Sequence, residues 1–181
     1  MEETLTLITV ITVVLAPIIW LIVTLNKKIN KALEKASEVL NFQIDIPGNI
    51  FRKKKIFGEI DGYRCEIEVF TRSHGRSSTT YVSFYAFFPQ SLDMGIKINW
   101  KGEIDGDDEH LTELFIERND SKIEEAQKTL RRLRVSDTVV NSRKILFIKY
   151  YKPEEIVNTM HEVLNLATVS YTHLRAHETL P

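Results

Sequence analysis

The sequence predicts an α+β protein: one N-terminal transmembrane helix, then a largely antiparallel sheet with two late helices. Residues Leu5 to Leu25, "LTLITVITVVLAPIIWLIVTL", are 21 in number without a charge, and 14 of them are Leu, Ile or Val. Apolar residues then recur with period two from Phe42 to about residue 118, and with a period near 3.6 from Asn119 onward. Strands followed by segregated helices give an α+β layout rather than an alternating one.

At about 1.5 Å per residue the uncharged run reaches roughly 31 Å, which matches a hydrocarbon core of about 30 Å. With insertion values of about 0.3 to 0.6 kcal/mol for each such residue at the bilayer centre, transfer is favourable by at most roughly 4 to 8 kcal/mol. Pro17 is tolerated in such a helix, where small local adjustments re-satisfy the freed carbonyl, and it predicts a modest kink. A secretory signal peptide is the rival reading. It needs a basic start and a small-x-small cleavage site, whereas this chain starts with Glu2 and Glu3 and leaves the run through "NKKINK". Lys27, Lys28, Lys31 and Lys35 crowd one flank and the other has no Lys or Arg. The positive-inside rule then puts the N-terminus outside and everything after Asn26 in the cytoplasm, at the cell (inner) membrane.

The expected organisation is an anchor over 1–25, a juxtamembrane helix over 26–40, an α+β domain over 41–168 and a non-native tail over 169–181. In the juxtamembrane helix Ile29, Leu33, Ala36 and Leu40 form a narrow apolar seam. Fewer than two heptads is too short to argue a coiled coil, so a stalk packing on its own domain is the preferred reading.

Phe42, Ile44 and Ile46 alternate and stop at "PGN". In "KIFGEIDGYRCEIEVF" two alternating runs flank Asp61-Gly62, a dipeptide suited to the positive φ angles of a type I′ hairpin turn. Cys65, Ile67 and Val69 are expected on one face, with Arg64, Glu66 and Glu68 on the other. After the polar loop "TRSHGRSS", the strand "TYVSFYAFF" has apolar or aromatic residues on both faces, which predicts a central strand covered on both sides. Ile96, Ile98 and Trp100 alternate in the next strand. Ser121 and Glu124 have the spacing of a capping box for a helix with Ile123, Ala126, Leu130 and Leu133 on one face. A second hairpin is expected from Thr138–Val140 and Ile145–Tyr151 joined by "NSRK". Pro153 opens a last helix with Ile156, Met160, Val163 and Ala167 as its apolar positions.

The order of Gly58 and Gly62, the aromatic strand ending at Pro89, "GIKINW" and "GDDEHLTELFIERND" loosely resembles a set of uncharacterised bacterial membrane-anchored α+β proteins. His110 and Leu111 stand where that set has Phe and Asp. The resemblance covers about residues 50 to 167 and implies domain boundaries, with no activity attached.

The tail reads "VSYTHLRAHET" from Val169 to Thr179. His173 and His177 stand at i and i+4, as in helical zinc pairs, but the H-E-x-x-H glutamate and a third ligand at a defined spacing are missing. These eleven residues look like the in-frame translation of a transposase adapter used to prepare shotgun DNA libraries. Such an adapter requires a preceding codon for Ser, Pro, Thr or Ala, and Thr168 fits. A metagenomic gene assembled from environmental reads, with its natural C-terminus missing, is the expected origin.

From Asn26 to Thr168 there are 23 Lys and Arg against 22 Asp and Glu. Bulk charge therefore offers no drive for nucleic-acid binding, and no nucleic-acid partner is expected. Five carboxylates fall between Glu103 and Glu109, but an EF-hand loop starting at Glu103 has its Gly at position 4 and Leu114 at position 12. A solvated turn is expected there. Cys65 with His74 or His161 as base could act as a nucleophile, yet Cys65 lies mid-strand on the apolar face, where a thiol is usually a small core residue. No catalytic residue, metal site or cofactor site is assigned. The run Arg52, Lys53, Lys54 and Lys55, with Lys27, Lys28, Lys31 and Lys35, is the expected membrane-surface contact, at about 1 kcal/mol per residue against anionic headgroups. The competing reading is a charged edge strand that discourages aggregation. The expectation is a non-enzymatic binding or structural module whose partners are the lipid bilayer and another protein or anionic lipid. The alternative activity is a metal-dependent hydrolase using Asp105, Asp107, Asp108, Glu109 and His110.

Overall fold

One 39-residue helix, α1 (Glu2–Leu40), opens the chain, and its two halves have different surroundings. Ile29, Ala32, Leu33, Ala36 and Leu40 are buried, with the spacing of a single helical stripe. Lys27, Lys28, Lys31 and Lys35 lie on its exposed side. Toward the N-terminus the pattern changes: Val13 is 67% and Trp20 69% exposed, and Leu15, Ile18, Ile19, Leu21 and Ile22 are also exposed. The seam read from the sequence is thus built into the core of its own domain, and the apolar half projects from it.

The computed structural model describes residues 2–48, 52–75, 77–93, 95–99, 101, 103–107, 109–130, 132–146 and 148–178, some helical ones in backbone only. Among the described residues no helix is long and apolar enough to cross a membrane. The described side chains of the uncharged run are Val13 and Leu15 to Leu25, about half of what a span of roughly 20 residues needs.

The helix ends at Asn41, whose φ of 55° puts it in the left-handed region. The Phe42 amide donates to the Ser37 carbonyl at 2.8 Å and the Asn41 amide to the Glu38 carbonyl at 3.4 Å. This pair of bonds is a Schellman cap with Asn in the usual glycine position. Phe42 then lays its ring over Gly58, where a Cβ would overlap it.

Eight strands follow in one sheet, every pair antiparallel: β1 (Gln43–Asp45), β2 (Lys54–Ile60), β3 (Tyr63–His74), β4 (Ser77–Phe87), β5 (Lys97–Ile98), β6 (Ile104–Asp105), β7 (Leu133–Ser136) and β8 (Val139–Ile145). Their order across the sheet is β1-β2-β3-β4-β8-β7-β5-β6. The β2–β3 turn is the type I′ turn expected from Asp61-Gly62, with φ of 52° and 80° and Ile60 opposite Tyr63. Strands β3 and β4 pair from Arg64↔Phe87 to His74↔Ser77, so their hairpin projects beyond the last β2 pair, Lys54↔Val69.

Helices α2 (Glu109–Thr129) and α3 (Pro153–Glu178) complete the fold, with a 3-10 turn over Ile148–Tyr151 between β8 and α3. Helices α1 and α3 pack on each other and on the sheet, and α2 packs on α3. The core lies between the helices and one sheet face. It takes Cys65, Ile67 and Val69 from β3, Val82, Phe84 and Ala86 from β4, and Ile156, Met160, Val163 and Ala167 from α3.

Three expectations are corrected. Helix α2 begins at Glu109, so the strand region stops near Asp105 and Ser121 and Glu124 lie inside the helix rather than capping it. Glu109 in the first turn suits the positive end of the helix dipole. The second hairpin turns at Asp137 and Thr138, and "NSRK" lies inside β8. Its alternation explains the misreading: Val140 and Ser142 face the core, while Asn141 and Arg143 face away and mimic a polar turn. Finally, β4 is central but only one of its faces lies under the helices, and Tyr81, although buried, stands outside the core cluster.

Helix α3 continues past Thr168 to Glu178, with Ser170 and Tyr171 buried. The Tyr171 ring lies 6.0 Å from Tyr63 and 5.6 Å from Phe88. An elongating helix adds residues cheaply once nucleated, and the Tyr171 ring packs the first of the added turns against the sheet end.

Leu33 has no exposed surface, so Leu33→Ala should lower stability by about 2 to 5 kcal/mol, whereas Val39→Ala on the exposed side should change it by less than about 0.5 kcal/mol. Thermal unfolding of both variants measures this, and equal effects would detach α1 from the core.

Candidate functional site: the open face of the sheet

Strand alternation puts a second set of side chains on the sheet face away from the helices. Register aligns them in rows: Phe57, Glu66, Tyr85, Asn141 and Arg134 in one, and Lys55, Glu68, Ser83 and Arg143 in the next. Phe70, Tyr81 and Ile145 form a third row, and Arg64 with Phe87 a fourth. This face is aromatic and charged.

The charges are sorted along it. Along β2 and β3, Lys53, just before β2, pairs with Glu68 at 2.5 Å, and Lys55 and Arg64 share Glu66 at 2.7 and 2.5 Å. Burial alone would raise the Glu66 carboxyl, but the hydrogen bonds and charges of Lys55 and Arg64 outweigh it and hold the group below its ordinary range.

On β7 and β8 the picture differs. Arg134 stands opposite Asn141, and Arg132 immediately precedes β7. Arg132, Arg134, Asn141 and Arg143 line a cavity of about 250 Å³. The Arg143 Nε donates to Ser83 Oγ at 3.1 Å, and its guanidinium lies 5.3 Å from the Phe70 ring centre. The Arg132 guanidinium lies 5.8 Å from the Tyr81 ring. Asn141 is held by its Nδ2, which donates to the Phe84 carbonyl at 3.0 Å. Arg132 has φ of 54°, a left-handed conformation that costs a non-glycine residue about 1 to 3 kcal/mol. Among the described residues, no carboxylate makes an ion pair with any of the three arginines.

Sequence reasoning did not single out these arginines. Their signal was present in "RLRVS": Leu133 and Val135 alternate inward, which sends Arg132 and Arg134 to the other face.

The residues it did single out have different surroundings. Lys27, Lys28, Lys31, Lys35, Arg52 and Lys53 are exposed, and Lys55 is half-buried, on Glu66 and 5.2 Å from the Phe57 ring. Lys54 is a different case: it is buried, its ammonium donates to Asn26 Oδ1 on α1, and burial lowers its pKa. Arg52 and Lys54 border a cleft of about 290 Å³ with Ile22, Leu25 and Leu146, where α1 leaves the domain. Cys65 is fully buried, and burial, with a smaller contribution from Asp61, pushes its thiol up to about 12. His74 lies nine residues along the same strand, roughly 30 Å away, and His161 is exposed on α3. Cys65 is thus a buried core thiol, with His74 far along its strand and His161 at the surface.

In the acidic stretch Glu103, Asp105, Asp107, Glu109 and His110 are exposed, and Asp108 lies outside the described residues. Asp105 pairs across the sheet with Lys97. Among the described residues no three His, Cys, Asp or Glu side chains are grouped to hold a metal ion. The side chains of His173 and His177 lie outside the described residues. A carboxylate of structural use is Asp137, which accepts from the Gly95 and Ile96 amides at 2.7 and 2.9 Å and fixes the loop before β5.

Glu66 and Cys65 have opposite pH signatures. The stabilising contribution of Glu66 is present above its unfolded pKa near 4.5 and is lost as pH falls through its lower folded value. That of Cys65 is present below its unfolded pKa of 9.0 and is lost as pH rises toward about 12. Unfolding free energies measured from pH 2 to 11 should show both slopes. Glu66→Gln should flatten the acid side, and iodoacetamide at pH 8 should label Cys65 only on unfolding.

Comparison with protein-family models, curated proteins and solved structures finds no match, so functional argument on this chain rests on its own geometry.

Proposed function

We propose that the chain is a single-pass membrane protein, N-terminus outside, whose cytoplasmic α+β domain is a binding module presenting its open sheet face. The observation that carries this is α1. Its C-terminal stripe is locked in the domain core, and its N-terminal half exposes Val13, Leu15, Ile18, Ile19, Trp20, Leu21 and Ile22. A row of large apolar side chains exposed around a helix needs an apolar surrounding, and 21 uncharged residues are long enough for lipid to supply it.

Support also comes from the charges near the exit. Lys27 and Lys28 follow the run directly, and Arg52 borders the cleft containing Ile22 and Leu25. Exposed Lys53 lies beside Arg52, and Ile148, 82% exposed, sits in the turn preceding Tyr151 of the same cleft. Such residues suit an anionic headgroup layer, with Lys54 withdrawn from it by its burial. The paired carboxylates of the open face suit binding more than acid–base chemistry, since each is already neutralised by a cation.

We also infer that Val169 to Thr179 are adapter-encoded. A chain ended at Thr168 should then keep a cooperative unfolding transition and lose only about 1 to 3 kcal/mol with the Tyr171 ring. Loss of the fold would make the segment integral.

For the anchor, a tagged full chain should remain in the membrane pellet after alkaline carbonate extraction, and protease added to intact cells should leave the domain whole. Recovery in the supernatant, or digestion from outside, would overturn the reading.

A further inference from the structure

We propose that Arg132, Arg134 and Arg143 form a binding site for a phosphate-type oxyanion, free or carried as the monoester of a small ligand or a lipid headgroup. The proposal rests on the open face being the domain's binding surface and adds the chemistry of what binds there.

Charge is the first argument. Like charges close together on a sheet destabilise it, and Arg132, Arg134 and Arg143 line one cavity, with Arg134 opposite Asn141 and Arg143 two residues further along β8. On β2 and β3 the cations Lys53, Lys55 and Arg64 each reach a carboxylate. The three arginines have none among the described residues, so an anion from outside relieves the repulsion that the sheet itself leaves in place.

Preorganisation is the second. Arg143 is tied at Nε to Ser83 and lies against Phe70, which leaves its terminal N–H donors for a ligand. Arg132 lies against Tyr81 and is presented by a left-handed backbone. Planar guanidinium forks held this way match the oxygens of a phosphate in pairs, which a spherical anion such as chloride cannot exploit. Asn141, with Nδ2 committed to the Phe84 carbonyl, offers Oδ1 as an acceptor suited to a protonated phosphate oxygen. A cavity of about 250 Å³ holds the anion with room for part of an attached group.

The test uses the full chain in nanodiscs of zwitterionic lipid, titrated with inorganic phosphate by calorimetry at low ionic strength. Saturable binding is expected, with no heat from chloride at the same ionic strength. Arg143→Ala and Arg134→Gln should each weaken it about tenfold or more, and Arg134→Lys should not restore it. Arg134 is exposed, so its variants keep the fold even if Arg143→Ala does not. Nanodiscs containing phosphatidic acid separate the sources: phosphate binding abolished there assigns the site to a lipid headgroup, and phosphate binding unchanged there assigns it to a soluble ligand. Absence of saturable phosphate binding by the unaltered chain, or unaltered affinity in the Arg134 variants, overturns the proposal. Incorporation into the disc reports on the anchor and the titration reports on the arginines, so the two readings fail separately.

Discussion

The burial of one stripe of α1 sets the rest of the molecule. Ile29, Leu33 and Ala36 are sealed between α3 and the sheet, and a helix is stiff along its axis. Fixing residues 29 to 40 therefore also fixes the direction in which residues 2 to 25 leave, at about 1.5 Å per residue. The Schellman cap at Asn41 and the Phe42 ring over Gly58 lock the other end to β2. An apolar rod whose base is part of a folded core cannot hinge freely, so the domain is held in one orientation relative to whatever takes up the rod.

With the helices committed to one face of the sheet, the opposite face becomes the only extended surface that the sheet has left. Its residues are not those of a bland solvated face. Aromatic rings at Phe57, Phe70, Tyr81, Tyr85 and Phe87 alternate with charges, and the guanidinium groups of Arg64, Arg72, Arg132 and Arg143 lie 5.2 to 5.8 Å from ring centres. Flat cations on flat rings keep their N–H edges free while giving up rotational freedom. The sorting of charge matters as much. Lys53, Lys55 and Arg64 along β2 and β3 each have a carboxylate, Glu66 or Glu68, whereas the arginines of β7 and β8 have no ion-paired carboxylate among the described residues.

Period-two alternation made β2, β3 and β4 legible in the sequence, together with the Asp61-Gly62 turn and the core positions Cys65, Ile67, Val82 and Phe84. The four apolar positions of α3 were equally plain. What failed were places where two patterns overlap. The start of α2 was missed although Leu111, Leu114 and Phe115 stand at i, i+3 and i+4, because the S-x-x-E spacing of Ser121 and Glu124 offered a later start. Strand β8 was broken in two because Asn141 and Arg143, polar on the outward face, look like a turn when the strand's partner is unknown. The arginine site was illegible for a related reason: it assembles across strands, and without the pairing of Arg134 with Asn141 nothing in the chain order brings residues 132 and 143 together. A basic run contiguous in sequence, Arg52 to Lys55, drew attention instead, although alternation sends Lys54 inward to Asn26.

The two features to which function is proposed, the exit of α1 and the arginine cavity, lie close to each other. Leu146 borders the cleft with Ile22 and Leu25 where α1 leaves, and Arg143 is three residues along the chain, roughly 10 Å at strand spacing. A Debye length under physiological salt is about 8 Å, so headgroup charge at the exit is attenuated at the arginines but not abolished. A neutral lipid surface would leave the arginine field intact for a soluble anion. An anionic surface would lower the effective concentration of that anion while drawing the cations toward itself. On the proposed anchor and anion site, binding at the open face would therefore depend on the composition of the bilayer, because the same three guanidinium groups would answer to both.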